Sequence, residues 1–178
     1  HTSFKMKHIE VVRMGVKIDE MLVEVLSREA STMWLSYGPL FKAFKYTETI
    51  RLIGPAESSN KQEMEDSLRN SLQFDTISNN AFPVILNWLN TNFTKIQRAA
   101  LIKLLPAQKV LRHIDRGEWF KQTKRYHLCL QGAYRYEVGD EFINVEPGMV
   151  FTFDNQIEHG TFNLKNQDRI TLMFDVAR

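Results

Sequence analysis

The spacing of apolar positions changes near residue 95. Before that point the pattern is mixed and partly helical. Ile9-Glu10-Val11-Val12 reads as a short strand. Met21, Leu22, Val25 and Leu26 fall on one face at helical spacing, with Asp19 placed to cap the helix that carries them. Residues 54–65 are polar and turn-rich, and are expected to form a mobile loop. Pro83 then opens a second helix, with Ile85, Trp88, Leu89 and Phe93 along one side.

After residue 95 short apolar or alternating runs dominate: 98–105, 109–115, 125–131, 134–138, 141–145, 149–153 and 169–176. Only the first of them reads equally well as a short helix. Pro106, Gly117, Gly132, Gly139-Asp140 and Glu146-Pro147-Gly148 separate the runs with turn chemistry. Gly139-Asp140 between two strand-like runs predicts a tight hairpin of type II′. Many short strands in close succession point to a sandwich or barrel. The expected fold is mainly β: a double-stranded β-helix (jelly roll, cupin-like) with N-terminal α/β elements and buttressing helices. One domain is expected over 1–178, with a mixed part at 1–95 and the metal-bearing β core at 96–178.

Composition narrows the function classes without selecting one. A chain of 178 residues suffices for one sizeable core, and 43% hydrophobic with 25% charged residues is ordinary for a soluble globular protein. A net charge of +2 with interspersed signs gives no reason to expect nucleic acid as a partner. No apolar run has the length of a membrane span and no signal-peptide pattern opens the chain, so no membrane partner and a cytoplasmic location are expected. Cys129 is the single cysteine, which rules out an internal disulfide and fits a reducing compartment. Its expected role is that of a buried, inert thiol. Phosphate-binding glycine loops, paired Cys motifs and Gly-x-Ser-x-Gly are absent.

The informative chemistry lies in His113-Ile114-Asp115, the distant His159 and the following Arg169. On a strand, residues two apart share a side, so His113 and Asp115 are expected to reach one ion together with His159. Two imidazoles and one carboxylate form the ligand set that occupies one face of an octahedral Fe(II) and leaves other positions open. Arg169, ten positions beyond His159, offers a fork suited to a carboxylate. Arg125 and His127 share a strand parity and face the same side. Trp119 and Phe120 are expected in a loop, lining the pocket mouth or packing on the barrel rim. Lys121, Lys124 and Arg125 read most simply as a solvated basic loop, and Asp154 and Asn155 as turn residues.

Four blocks carry a resemblance to a known family: Leu111-Arg112-His113-Ile114-Asp115; Arg125-Tyr126-His127-Leu128-Cys129-Leu130; Glu146-Pro147-Gly148 leading to Phe153-Asp154-Asn155-Gln156-Ile157-Glu158-His159; and Arg169-Ile170-Thr171-Leu172-Met173-Phe174-Asp175-Val176. In this order, across about residues 96–176, they resemble the aspartyl/asparaginyl β-hydroxylase family of Fe(II)- and 2-oxoglutarate-dependent dioxygenases. The resemblance implies Fe(II) held by His113, Asp115 and His159, with 2-oxoglutarate and O2 as cosubstrates. It also implies that His127 joins Arg169 in binding the 2-oxoglutarate carboxylates, and that Arg125 holds a substrate carboxylate. The animal enzymes that give the family its name have a glycine where this chain has Asp115. Small bacterial relatives acting on free amino acids such as proline keep the acid, so the chain is similar to that branch. The implied reaction hydroxylates an unactivated carbon of a free amino acid or an Asp/Asn-type side chain, with release of succinate and CO2. The implied partner is a small molecule or peptide with a carboxylate or amide. Another metal-dependent cupin enzyme, or a non-catalytic jelly-roll binding module, remains as an alternative from the residues alone.

Overall fold

The computed structural model describes residues 3–36, 41–54 and 81–178. Within them two antiparallel sheets form a sandwich. The strands, in chain order, are β1 (Phe4–Lys5), β2 (Ile9–Arg13), β3 (Thr47–Ile53), β4 (Ile96–Leu104), β5 (Lys109–His113), β6 (Thr123–Gln131), β7 (Tyr134–Val138), β8 (Glu141–Val145), β9 (Val150–Phe153), β10 (His159–Asn163) and β11 (Arg169–Ala177). Seven make the larger sheet, in the order β1-β2-β9-β6-β11-β4-β3, and four make the smaller, in the order β5-β10-β7-β8. This is the jelly-roll arrangement expected from the sequence.

Alternation along the larger sheet separates two cores. Leu101 of β4, Leu128 and Leu130 of β6, and Ile170, Leu172 and Phe174 of β11 point to one face. There they are covered by Met21 and Val25 of helix α1 (Asp19–Val25) and by Ile85 and Leu89 of helix α3 (Pro83–Asn92). The other face meets the smaller sheet across Val11, Cys129, Tyr134, Tyr136, Val138, Val145, Phe151 and Phe153. The period of two therefore gives each central strand one residue set for the helices and another for the interior.

Several local expectations need correction. Asp19 is the first residue of α1, and Ile18 stands at the N-cap with no side-chain hydrogen bond. Glu24, within α1, caps the other helix: its carboxylate accepts from Val84 N (2.8 Å) and Ile85 N (2.9 Å) at the start of α3. Pro83 does open α3, where its missing N–H costs nothing. The run at 98–105 is strand as far as Leu104, in β4, paired on both sides by β3 and β11. Strands β3 and β10 and the short helix α2 (Arg28–Ser31) are not among the expected elements; β10 is His-Gly-Thr-Phe-Asn, mostly polar yet almost wholly buried. The segment holding Trp119 and Phe120 is helix α4 (Glu118–Gln122), with Trp119 fully buried. The polar stretch at 54–65 lies, apart from Gly54, outside the described residues.

The hairpin joining β7 to β8 pairs Val138 with Glu141 across two residues. Gly139 has φ +59° while Asp140 is not in the positive-φ region, which fits type II′ rather than type I′. Among the described residues no helix is long and apolar enough to cross a membrane.

Candidate metal centre

His113 ends β5 and His159 begins β10, and the two are direct cross-strand partners in the smaller sheet. Gly160 permits this close approach: a Cβ there would meet the Val110 carbonyl oxygen and the Arg112 Cγ, each at 3.0 Å. Asp115 is not on the strand, because β5 stops at His113. It sits in the irregular segment that follows, where its N–H donates to the Asn155 carbonyl (3.2 Å) and its own carbonyl accepts from Gln156 Nε2 (3.1 Å). The His-x-Asp spacing thus reaches one centre by a different route from simple strand parity. The segment before His159 fixes the Asp115 main chain.

The three side chains converge, with ligand atoms all within 4.8 Å of one another. Asp115 Oδ1 lies 3.5 Å from His113 Nε2 and 3.6 Å from His159 Nε2. Each imidazole turns its other nitrogen away: His113 Nδ1 donates to the Leu111 carbonyl (2.7 Å) and His159 Nδ1 to the Ile157 carbonyl (2.8 Å). Those bonds select the tautomer whose Nε2 lone pair faces the centre, the usual outer partner of a metal-bound histidine. Burial alone would raise the Asp115 carboxyl, but the two imidazoles and the Arg125 charge hold it well below the usual carboxylate range. Its Oδ2 is buried without a hydrogen bond. Ligand atoms at about 2.0–2.2 Å from a first-row divalent ion are roughly 3 Å apart in neighbouring positions, so small side-chain movements close this set around an ion. The donor set therefore fits a first-row divalent metal ion, iron among them.

Arg169 opens β11 and points inward from the larger sheet. It is only 3% exposed, and among the described residues no carboxylate meets it. Nη1 donates to Thr161 Oγ1 (3.3 Å), the guanidinium lies 4.6 Å from the Tyr134 ring centre, and Nε has no partner. Desolvation lowers its pKa. A buried cation with an unsatisfied donor is costly unless an anion joins it.

His127 lies on the same inner face of β6, among Tyr136, Phe151 and Phe153 with ring centres 5.1–5.6 Å away. Its Nδ1 is buried and unpartnered, and burial, aided by Arg125 and Arg169, pushes its pKa well below the ordinary value. A neutral imidazole there can donate one hydrogen bond to a ligand.

Arg125 is not part of a solvated loop. Its Nε and Nη2 donate to Asp175 Oδ1 (2.8 Å) and Oδ2 (2.9 Å), while Nη1 lies 3.7 Å from Asp115 Oδ2. Asp175 is fully buried and also accepts from Trp119 Nε1 at 3.0 Å. The sequence reading missed Asp175, Thr161 and the Asn155-Gln156 clasp. A charged residue inside the apolar run from Ile170 to Val176 was the available signal for the first. Cys129 is the buried thiol expected, donating to the Gly132 carbonyl and pushed up to about 12 by desolvation.

Three comparisons with known proteins bear on this arrangement. A search of curated proteins finds no match. Among solved structures, the chain is similar to an oxidoreductase of the 2OG-Fe(II) oxygenase family from Burkholderia pseudomallei. That likeness has a TM-score of 0.53 at 13% identity, over 72% of this chain and 67% of that one. It is also similar to a predicted oxalate decarboxylase from Thermotoga maritima, with a TM-score of 0.43 at 15% identity over 74% of this chain and 81% of that one. At 13% identity the likeness to the Burkholderia protein speaks to the fold alone. The family model described as aspartyl/asparaginyl beta-hydroxylase matches residues 53–178, reaching from the end of β3 through all the candidate ligands. The chain belongs to the aspartyl/asparaginyl β-hydroxylase family.

Proposed function

We propose that the protein is an Fe(II)- and 2-oxoglutarate-dependent oxygenase that hydroxylates a small substrate bearing a carboxylate or amide. The observation that carries this reading is the convergence of His113, Asp115 and His159 within 4.8 Å. Iron with 2-oxoglutarate and O2 supplies the oxidising power to hydroxylate an unactivated C–H bond, with succinate and CO2 as coproducts.

The chain's own residues do the placing. His113, Asp115 and His159 would hold the metal on one side and leave its remaining positions for ligands from the interior. Arg169 receives the distal carboxylate of 2-oxoglutarate, which satisfies its free Nε and offsets its buried charge. His127, kept neutral, donates a hydrogen bond to the same anion. Tyr134, Tyr136, Phe151 and Phe153 keep water from the interior. The acid at 115 is the feature shared with relatives acting on free amino acids, so a free amino acid is the first substrate class to try and an Asp- or Asn-type side chain the second.

The test is a screen of free amino acids and short peptides with Fe(II), 2-oxoglutarate and O2. Succinate release coupled to a mass gain of one oxygen supports the reading. No 2-oxoglutarate consumption with any substrate, and no stabilisation of the protein by iron plus 2-oxoglutarate, would remove it.

A further inference from the structure

The arginine beside the metal ligands has an unusual commitment. A guanidinium meant to seize an incoming carboxylate should present its fork to the pocket. Arg125 instead spends Nε and Nη2 on Asp175, at 2.8 and 2.9 Å. Asp175 sits directly across from Arg125 in the β6–β11 register, and its own side chain is immobilised. It is fully buried and holds the Trp119 indole N–H at 3.0 Å, while the Arg98 guanidinium stacks 3.5 Å over that indole. The Phe120 ring lies 5.0 Å from the Arg125 guanidinium. Arg125 is therefore aimed, and what remains of it points at Asp115: Nη1 is 3.7 Å from Oδ2.

We propose that Arg125 is a positioning residue for Asp115, holding Oδ2 of that carboxylate so that Oδ1 alone is presented to the metal. The inference rests on the metal-site reading above.

Three observations support it. Oδ1 is the atom lying near both imidazole nitrogens, at 3.5 and 3.6 Å, whereas Oδ2 is turned towards Arg125. Oδ2 is buried and has no hydrogen bond, so the cation is its available electrostatic partner. Finally, Asp115 lies beyond the end of β5, where the ladder no longer fixes it; the main chain is clasped by Asn155 and Gln156, and the carboxylate needs a separate restraint.

The consequence is coordinative. A carboxylate free to turn can bind through both oxygens and fill a position that a facial site must keep open. A cation on Oδ2 opposes that rotation. It does so only if it cannot move, which is what the bidentate Asp175 pair provides.

The test is binding of Co(II) to the intact 178-residue chain without 2-oxoglutarate or organic substrate, with the dissociation constant from chelator competition and the ligand-field spectrum recorded together. Arg125→Lys keeps a cation for Asp175 but has no second arm to reach Asp115. The Arg125→Gln/Asp175→Asn double variant removes the buried charges as a pair. Each is expected to weaken Co(II) binding about 10–100-fold and to alter the ligand-field bands, as loss of an outer-shell partner typically does. A dissociation constant and spectrum equal to wild type in either folded variant overturns the proposal, and with a raised KM for the organic substrate it assigns Arg125 to substrate binding. If the double variant does not fold, Arg125→Lys decides. Failure of the wild-type protein to bind Co(II) would instead overturn the metal-site reading, and the proposal with it.

Discussion

The two faces of the larger sheet are made by the same strands and do opposite work. On β11, Ile170, Leu172 and Phe174 enter the apolar layer under the helices. Their immediate neighbours Arg169, Thr171 and Asp175 face the interior, where they meet Thr161, Tyr134 and Arg125. On β6, Leu128 and Leu130 serve the first layer, and Arg125 and His127 the second. Stability and chemistry are thus interleaved at single-residue spacing, and substitutions one position apart should have different consequences.

The largest effects should come from the ligands. Asp115→Ala and His159→Ala are expected to reduce turnover at least about 1,000-fold, more than roughly 4 kcal/mol in barrier, while circular dichroism and melting stay near wild type. Unfolding by either change would show that the site and the core are not separable. On the opposite face, Phe174→Ala should cost about 3–5 kcal/mol in urea denaturation and leave the metal affinity of the folded protein intact. A stable Phe174→Ala protein with lost metal binding would break the division between the faces.

Arg169→Met sharpens it further. Removal of a buried cation that meets no carboxylate among the described residues should leave the ligand-free melting temperature unchanged or raise it. The same change should raise the 2-oxoglutarate requirement roughly 30–150-fold, the equivalent of about 2–3 kcal/mol of charge-assisted hydrogen bonding. Steady-state kinetics and thermal denaturation check the two halves separately. The smallest effect concerns pH. His127 titrates below its unfolded value, so the unfolded chain takes up the proton first as the medium acidifies. Well above the ordinary histidine value of about 6.5 both states are neutral at this residue and it has no effect. Below that, stability should fall by up to about 1.4 kcal/mol per pH unit from this group. His127→Gln should show a shallower acid loss than wild type in denaturant titrations at pH 5 to 7.

Much of this division was legible in the chain because a strand's period of two is a local property. Alternating runs located most of the β core, and Gly139-Asp140 marked its tight hairpin. The ligand types and their order identified residues that the fold brings together. Strand β10 was hidden because His159, Gly160, Thr161 and Asn163 are polar or small, and their burial follows from being enclosed between β5 and β7. The place of Asp115 beyond the strand was equally unreadable, since it depends on backbone bonds to a segment distant in sequence. Arg125 shows the same limit. Its basic neighbours Lys121 and Lys124 suggested a solvated loop, whereas Asp175 reaches it only through the β6–β11 register.

The most direct measurement is an anaerobic titration of the protein with Fe(II) and 2-oxoglutarate, followed by the visible charge-transfer absorption of an iron–2-oxo acid chelate. Wild type should develop the band saturably, and Asp115→Ala should fail to do so at the same concentrations. A folded wild-type protein giving no band, or an Asp115→Ala protein giving the full one, would contradict the assignment of His113, Asp115 and His159 as the iron site.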